Sequence, residues 1–138
     1  MSISRAESPV SDVMLPLSRV PVVKLTTLLK ATLVAMTRHK LGIACVVDEA
    51  GHLTGIFTDG DVRRMLLTDQ KPFSHLFADD ISRHATPKPA TVRGTDTLAS
   101  AVALMEKKEI WDLPVVQADG RLQGLLHLHP AIKAVLGI

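Results

Sequence analysis

The chain has 138 residues, of which 46% are apolar and 22% charged, and its formal net charge is +2. This length fits one compact domain or two small units that share a core. The basic residues are spread along the chain and the aromatic residues are three Phe and one Trp, which argues against nucleic-acid binding. Cys45 is the only cysteine, so an internal disulfide is excluded. The apolar run around Cys45 predicts a buried core residue rather than a nucleophile. No signal peptide or apolar span is recognisable, and we expect a cytoplasmic protein.

A repeated pattern begins after an irregular N-terminal segment. Residues 1–9, MSISRAESP, lack apolar periodicity, and we expect them to be disordered or a remnant of cloning. A short apolar strand, PVV at 21–23, then leads into a helix that Thr26 is expected to cap. The apolar residues of this helix follow i, i+4, i+7 spacing at Leu29, Leu33 and Met36. This stripe predicts core packing rather than a cofactor site.

Two apolar strands follow the helix and form a predicted hairpin. The segments IACVVD at 43–48 and HLTGIF at 52–57 flank the turn sequence EAG. A closing helix is predicted after GIFTDGD at 55–61. The first copy of the pattern therefore has the order β-α-β-β-α and occupies residues 10–70.

A second copy follows a segment rich in turn-forming residues. Over residues 71–88 we expect a linker with a short helix around Phe73–Phe77. A shift of 69 residues aligns residues 21–67 with 90–136 without gaps, so the second copy occupies residues 89–138. Each copy is too short to bury a core alone. The predicted fold is α+β, with two pseudo-symmetric β-α-β-β-α repeats packed sheet to sheet.

The stretch TDGD at 58–61 carries the candidate chemistry of the first copy. Thr58 and Asp61 have the spacing of a helix capping box, in which each side chain satisfies a backbone N–H group. A calcium loop is disfavoured because no third acidic ligand or distal bidentate Glu follows, and a catalytic carboxylate pair lacks an acid–base partner. A nucleotide is the other alternative: the helix N-terminus and Arg63 or Arg64 suit a phosphate, and a carboxylate suits the two hydroxyls of a ribose.

The duplicated unit and the motif at the end of its first copy resemble the CBS domain pair, a family named after cystathionine β-synthase. In that family, the pattern Gly-apolar-x-Thr/Ser-x-x-Asp lies between the last strand and the last helix. Gly55, Ile56, Thr58 and Asp61 match this pattern residue by residue. The resemblance covers residues from about 10 to 136. Within the family, the chain most resembles the C-terminal CBS regions of bacterial arabinose-5-phosphate isomerases.

The resemblance implies a nucleotide site in the first copy. Thr58 and Asp61 would hold the ribose and phosphate. Arg64 joins this set on its own chemistry, because a guanidinium one turn into the helix suits a phosphate. The base would lie between two apolar strand segments, whose residues are Val22, Val23, Ala44 and Cys45.

The second copy departs from the family pattern. His127 stands where the motif has Thr or Ser, and Pro130 stands where it has Asp. Pro130 is compatible with the first turn of a helix, so we expect the fold to survive and the ribose carboxylate to be lost. A second cleft, empty or holding a different ligand, would be lined by Trp111, Asp112, His127 and His129. The two histidines are expected to share one face of a strand end, but they lack a third ligand, and we expect no bound metal.

The resemblance implies a regulatory, ligand-sensing module without catalytic activity of its own. The resemblance implies an adenine nucleotide or a cytidine-activated sugar as effector. The partner would be a sugar isomerase domain, in cis or in trans, in octulosonate and lipopolysaccharide synthesis. We expect no other cofactor, no nucleic-acid or membrane partner, and a homodimer. The alternative is a structural oligomerisation module in which Thr58 and Asp61 only cap a helix.

Overall fold

The computed structural model describes residues 4–138 and divides the chain into two compact units. One unit is Arg19–Pro89, and the other combines the residues up to Ser18 with Ala90–Ile138. The strands and helices in chain order are β1 (Leu15–Pro16), β2 (Val22–Lys24), α1 (Leu29–His39), β3 (Ile43–Val47), β4 (Leu53–Thr58), α2 (Asp59–Thr68), α3 (Phe73–Phe77), β5 (Thr86–Pro87), β6 (Val92–Arg93), α4 (Leu98–Lys108), β7 (Asp112–Val116), β8 (Leu122–His127) and α5 (Leu128–Leu136). Among these helices, none combines the length and the apolarity that crossing a membrane requires. The α+β class and the doubled β-α-β-β-α order are confirmed.

The unit Arg19–Pro89 is built on a sheet with the strand order β2-β3-β4-β5. Strands β2 and β3 are parallel and α1 connects them, whereas the other neighbours are antiparallel. The β3–β4 hairpin turns at Gly51, whose φ of 88° is readily adopted only by glycine. The helices cover one face of the sheet, and the core between them contains Val23, Leu29, Met36, Ala44, Val46, Phe57, Met65, Leu76 and Ile81. The predicted helix stripe thus packs in the core, as expected.

The other unit repeats this arrangement with the strand order β1-β8-β7-β6. Strands β6 and β7 are parallel and α4 connects them, and the remaining neighbours are antiparallel. Its core contains Val10, Val92, Leu98, Ala101, Met105, Leu113, Val115, Leu126, Ala131 and Ala134. The two repeats therefore fold alike, as the alignment of the two copies predicted.

The short strands β1 and β5 make the spatial units differ from the expected sequence boundaries. Ile56 of β4 pairs with Thr86 of β5, so residues 71–88 complete the first unit rather than forming a linker. Leu125 of β8 pairs with Leu15 of β1, so residues 10–18 lie with the second repeat rather than the first. Each strand that precedes one repeat in sequence is thus an edge strand of the sheet of the other repeat.

The N-terminal segment also differs from the expectation of disorder. Residues 1–3 lie outside the described residues. The hydroxyl of Ser4 donates to the carbonyl of Val135 at 2.6 Å, and the Arg5 N–H donates to the carbonyl of Ala134 at 2.9 Å. Residues 4–9 are therefore held against the second repeat.

Helices α1 and α4 begin later than expected from Thr26 and from its counterpart Thr95 in the second copy, the two threonines predicted to cap them. The expected cap Thr26 lies in a turn, because the neighbouring Thr27 accepts the Lys24 N–H through its hydroxyl oxygen at 3.0 Å. In the second repeat, Thr97 caps α4 by accepting the Ser100 N–H at 3.2 Å. In both repeats, the residues between the first strand (β2 or β6) and the helix that follows it (α1 or α4) form a turn.

Candidate functional site in the first repeat

Asp61 lies in the first turn of α2, where polar contacts converge. The Thr58 hydroxyl oxygen accepts the Asp61 N–H at 3.2 Å, and Asp61 Oδ2 accepts the Thr58 N–H at 2.9 Å. These reciprocal bonds form the capping box that the sequence spacing predicted. Asp61 is only 6% exposed, so the fold fixes the position of its carboxylate.

Contacts from β5 and from further along α2 complete the environment of this carboxylate. Asp61 Oδ1 accepts the Thr86 hydroxyl at 3.0 Å and pairs with the guanidinium of Arg64. Asp61 Oδ2 also accepts the Thr58 hydroxyl, at 3.1 Å. Each oxygen therefore carries two hydrogen bonds. A carboxylate has about four acceptor positions, so the protein itself occupies all of them.

The arrangement has the chemistry of a site for a polyhydroxylated anion. A carboxylate that accepts one hydroxyl on each oxygen suits the vicinal hydroxyl groups of a sugar, which would take the place of the two threonine hydroxyls. The Arg64 side chain is 66% exposed while it pairs with Asp61, so its remaining N–H donors can reach a phosphate or carboxylate.

Thr58, Asp61 and Arg64 lie together, and Thr86, which was not among the predicted site residues, joins them. A second alignment of the two copies could have indicated the strand that carries Thr86. In it, VSDVMLP at 10–16 matches ISRHATP at 81–87 with a shift of 71 residues rather than 69. These segments end in the equivalent edge strands β1 and β5.

The four strand residues expected around a base lie on two different faces of the sheet. Val23 and Ala44 are buried in the core beneath the helices, so their side chains cannot line a site on the other face. Val22 pairs with Cys45, and because side chains alternate along a strand, both lie on the face opposite that core. Cys45 pairs in turn with Ile56, which places this row in line with Thr86. The expectation is corrected accordingly: only the Val22 and Cys45 side chains share a face with the polar cluster.

A second carboxylate, Asp79, fixes the segment that leads to Thr86. His84 Nε2 lies 2.9 Å from Asp79 Oδ2, and Lys71 Nζ lies 3.4 Å from the same oxygen. The Asp79 carbonyl also accepts the Leu29 N–H at the start of α1, at 2.9 Å. The hydrogen bond with His84 lowers the pKa of Asp79 below its usual value, and the charge of Lys71 acts in the same direction.

The equivalent position in the second repeat has different chemistry. His127 Nδ1 lies 2.7 Å from Asp112 Oδ1, across the paired strands β7 and β8. Trp111 is 70% exposed, and its carbonyl accepts the Leu128 N–H at 2.8 Å. His129 lies in the first turn of α5 rather than on the strand, so the expectation that it shares a strand face with His127 is wrong. Within residues 4–138, no three potential metal ligands converge.

The CBS domain family matches this chain twice, over residues 10–68 and over residues 78–136. The chain belongs to the CBS domain family. The resemblance seen in the repeated pattern and the GIFTDGD motif is thereby confirmed, and the protein is a tandem CBS pair. Such a pair is a regulatory module rather than a catalytic one.

Curated relatives of this CBS pair include arabinose 5-phosphate isomerases. The isomerase KdsD of Pseudomonas aeruginosa is 40% identical over 127 residues, which cover 91% of this chain and 37% of that protein. KdsD of Escherichia coli K12 is 33% identical over 127 residues, with the same two coverages of 91% and 37%. The CBS pair therefore spans little more than a third of the length of these relatives.

Solved structures of CBS pairs superpose on nearly the whole chain. CBSX2 in complex with AMP is 30% identical, with a TM-score of 0.80, and the match covers 93% of this chain and 96% of that one. CBSX2 from Arabidopsis thaliana gives a TM-score of 0.79 at 29% identity, covering 93% and 94% of the two chains. A CBS domain-containing protein from Bacillus anthracis has a TM-score of 0.82 at 18% identity, covering 94% and 93%; this likeness shows the fold alone.

Proposed function

We propose that this CBS pair is a ligand-sensing module that regulates a sugar-phosphate isomerase of the arabinose 5-phosphate type. Its effector is an adenine nucleotide or a cytidine-activated sugar, bound at the first repeat. The module transmits the signal by population shift, because a ligand biases a protein only through different affinities for its two arrangements. It acts in the cytoplasm as a homodimer, with the isomerase domain attached in cis or supplied in trans.

The observation that carries this proposal is the buried carboxylate of Asp61 beside two threonine hydroxyls and an exposed arginine. A carboxylate binds the two hydroxyls of a ribose, and a guanidinium binds phosphate through paired N–H groups. The structure of CBSX2 with AMP supports an adenine nucleotide as the first ligand to test.

The isomerase link rests on the relatives. Identity of 40% to KdsD over 91% of this chain supports a role beside the same catalytic domain. The end product of a pathway is a suitable feedback signal, so the cytidine-activated octulosonate of lipopolysaccharide synthesis is the second ligand to test.

One observation favours the alternative function, a structural module that holds oligomers together without a ligand. The Asp61 carboxylate accepts four hydrogen bonds from the protein: two from Thr58, one from Thr86 and one from Arg64. A capping role accounts for the Thr58 bonds without any ligand. The two functions are separated by the response of Asp61 variants to ligand, not by their stability.

A thermal-shift series decides between the two functions. The ligands are AMP, ADP, ATP, CMP and the cytidine-activated octulosonate, and the proteins are wild type, Asp61→Ala and Thr97→Ala. A ligand at 100 times its dissociation constant adds about 2.7 kcal/mol of stability, which raises the midpoint of a domain this size by several degrees.

Thr97→Ala is the matched control because it removes a helix cap in the other repeat. Thr97→Ala loses about 1 kcal/mol through the lost cap, and Asp61→Ala loses more because four donors lose their acceptor, but only Asp61→Ala loses the ligand-induced shift. No shift in wild type with any of these ligands would identify the protein as a structural module.

A further inference from the structure

We infer that the Thr86 hydroxyl competes with the ligand for Asp61, so that β5 is released when the site fills. The inference rests on the proposed function and adds which structural change follows ligand binding at that site. Because Asp61 Oδ1 and Oδ2 each already accept two hydrogen bonds, a ligand hydroxyl gains a place on the carboxylate only by displacing a protein donor.

The two threonines occupy the carboxylate as a vicinal diol does. The Thr58 hydroxyl donates to Oδ2 at 3.1 Å, and the Thr86 hydroxyl donates to Oδ1 at 3.0 Å. One hydroxyl on each carboxylate oxygen is the pattern in which a ribose would bind. The two threonine hydroxyls therefore occupy the positions on the carboxylate that a ribose diol would take.

Thr86 is the donor that gives way. The Thr58 N–H is fixed by the backbone, and the Thr58 hydroxyl also caps α2 by accepting the Asp61 N–H at 3.2 Å. Arg64 carries a charge opposite to that of Asp61, which makes its bond stronger than one from a neutral hydroxyl. Thr86 offers one neutral hydroxyl from outside the helix.

The strand that carries Thr86, β5, is short enough to be displaced when a ligand binds Asp61. β5 consists of Thr86 and Pro87, and it pairs with Ile56 and Gly55 of β4. Pro87 has no N–H to donate, so β5 offers few backbone hydrogen bonds to β4, and the side-chain bond from Thr86 to Asp61 adds to them. Residues 88–91 connect β5 directly to β6 of the second repeat. A displacement of β5 on ligand binding at Asp61 therefore acts on the segment that enters the second repeat.

Calorimetric titration of AMP into wild type, Thr86→Val and Thr86→Ser tests the competition. Valine has the shape of threonine but no hydroxyl, so Oδ1 is open and AMP binds about tenfold more tightly than to wild type. Serine restores the hydroxyl and returns the affinity to within about twofold of wild type. Thr54→Val is the control, since it removes a hydroxyl of β4 that donates to the Val46 carbonyl and does not contact Asp61; its affinity stays unchanged.

Hydrogen exchange supplies a measurement that needs no variant. Saturating AMP speeds exchange in wild-type peptides covering residues 84–88 and leaves those covering the equivalent strand β1 unchanged. Weaker or unaltered AMP binding by Thr86→Val, or slower exchange at 84–88 with AMP, would overturn the competition while leaving the proposed function intact. A wild-type protein that binds no nucleotide would overturn both.

Discussion

A Cβ atom at position 55 would lie 2.8 Å from the carbonyl oxygen of Thr86. Gly55 therefore allows β5 to pair closely with β4, and this close approach is a physical reason for the glycine of the GIFTDGD motif. The second repeat uses the same device, since a Cβ at Gly124 would lie 2.5 Å from the carbonyl oxygen of Leu15 on β1.

Alanine at either glycine is expected to destabilise the protein. Gly55→Ala and Gly124→Ala each force the edge strand away and lower the free energy of unfolding by about 1–3 kcal/mol, measured by urea denaturation. Gly60→Ala is the control, because its Cβ would meet only the Thr58 hydroxyl oxygen at 3.5 Å. Equal stability of Gly55→Ala and Gly60→Ala would contradict the account of β5.

Glycine is expected to stabilise the ends of two helices. Lys40 follows α1 with φ of 56°, and Glu109 follows α4 with φ of 55°, a left-handed conformation that disfavours side chains. Lys40→Gly and Glu109→Gly should each raise the unfolding free energy by roughly 0.5–1 kcal/mol. Ala103→Gly, at an exposed position in the middle of α4, should lower it by about 1 kcal/mol instead; a change of the same sign in Ala103→Gly and Glu109→Gly would refute the interpretation.

Asp79 should make stability fall in acid. Its pKa is lowered in the folded protein, chiefly by the hydrogen bond with His84, from a usual value of 3.8. A lowered pKa means that the stabilisation is present above pH 3.8 and is lost as the pH falls through the folded value. The stability gap between wild type and Asp79→Asn should therefore narrow from pH 6 to pH 3 in urea denaturation.

The control for this pH series is Asp119→Asn. The Asp119 carboxylate is exposed, and its Oδ2 lies 3.7 Å from Nε of Arg121. An exposed ion pair contributes little, so this variant should follow the wild-type profile throughout. A gap at Asp79 that stayed constant over the whole pH range would show that the carboxylate acts through packing alone.

The second repeat should not control the nucleotide response. His127→Ala removes one hydrogen-bonding partner of Asp112 and is expected to lower the unfolding free energy by about 1 kcal/mol. The dissociation constant for AMP should remain within about twofold of wild type, since the carboxylate of the motif is present only in the first repeat. A large loss of AMP affinity in this variant would place the nucleotide at the second repeat.

The sequence predicted the elements that carry a long pattern. The helix stripe, the two hairpins, the short helix at Phe73–Phe77 and the capping box at Thr58 and Asp61 are present in the structure. Their signals extend over several residues or depend on a specific spacing.

The edge strands and the sheet faces could not be predicted from the same signals. β1 and β5 contain two residues each, too few for alternation to be visible. Val22, Val23, Ala44 and Cys45 are all apolar, so the sequence does not tell which of them faces the helices. The pairing of Val22 with Cys45 and the core position of Val23 decide that question in the structure.

Calorimetric titration of AMP into wild type and Asp61→Asn shows whether Asp61 holds a nucleotide in the first repeat. Asparagine keeps the size of the side chain but removes the charge and one acceptor oxygen. We expect wild type to bind one AMP per chain and the variant to bind about 100-fold more weakly, because hydrogen bonds to a charged group are the strong ones. Equal affinity in the two proteins, or two equivalent sites per chain, would contradict the account.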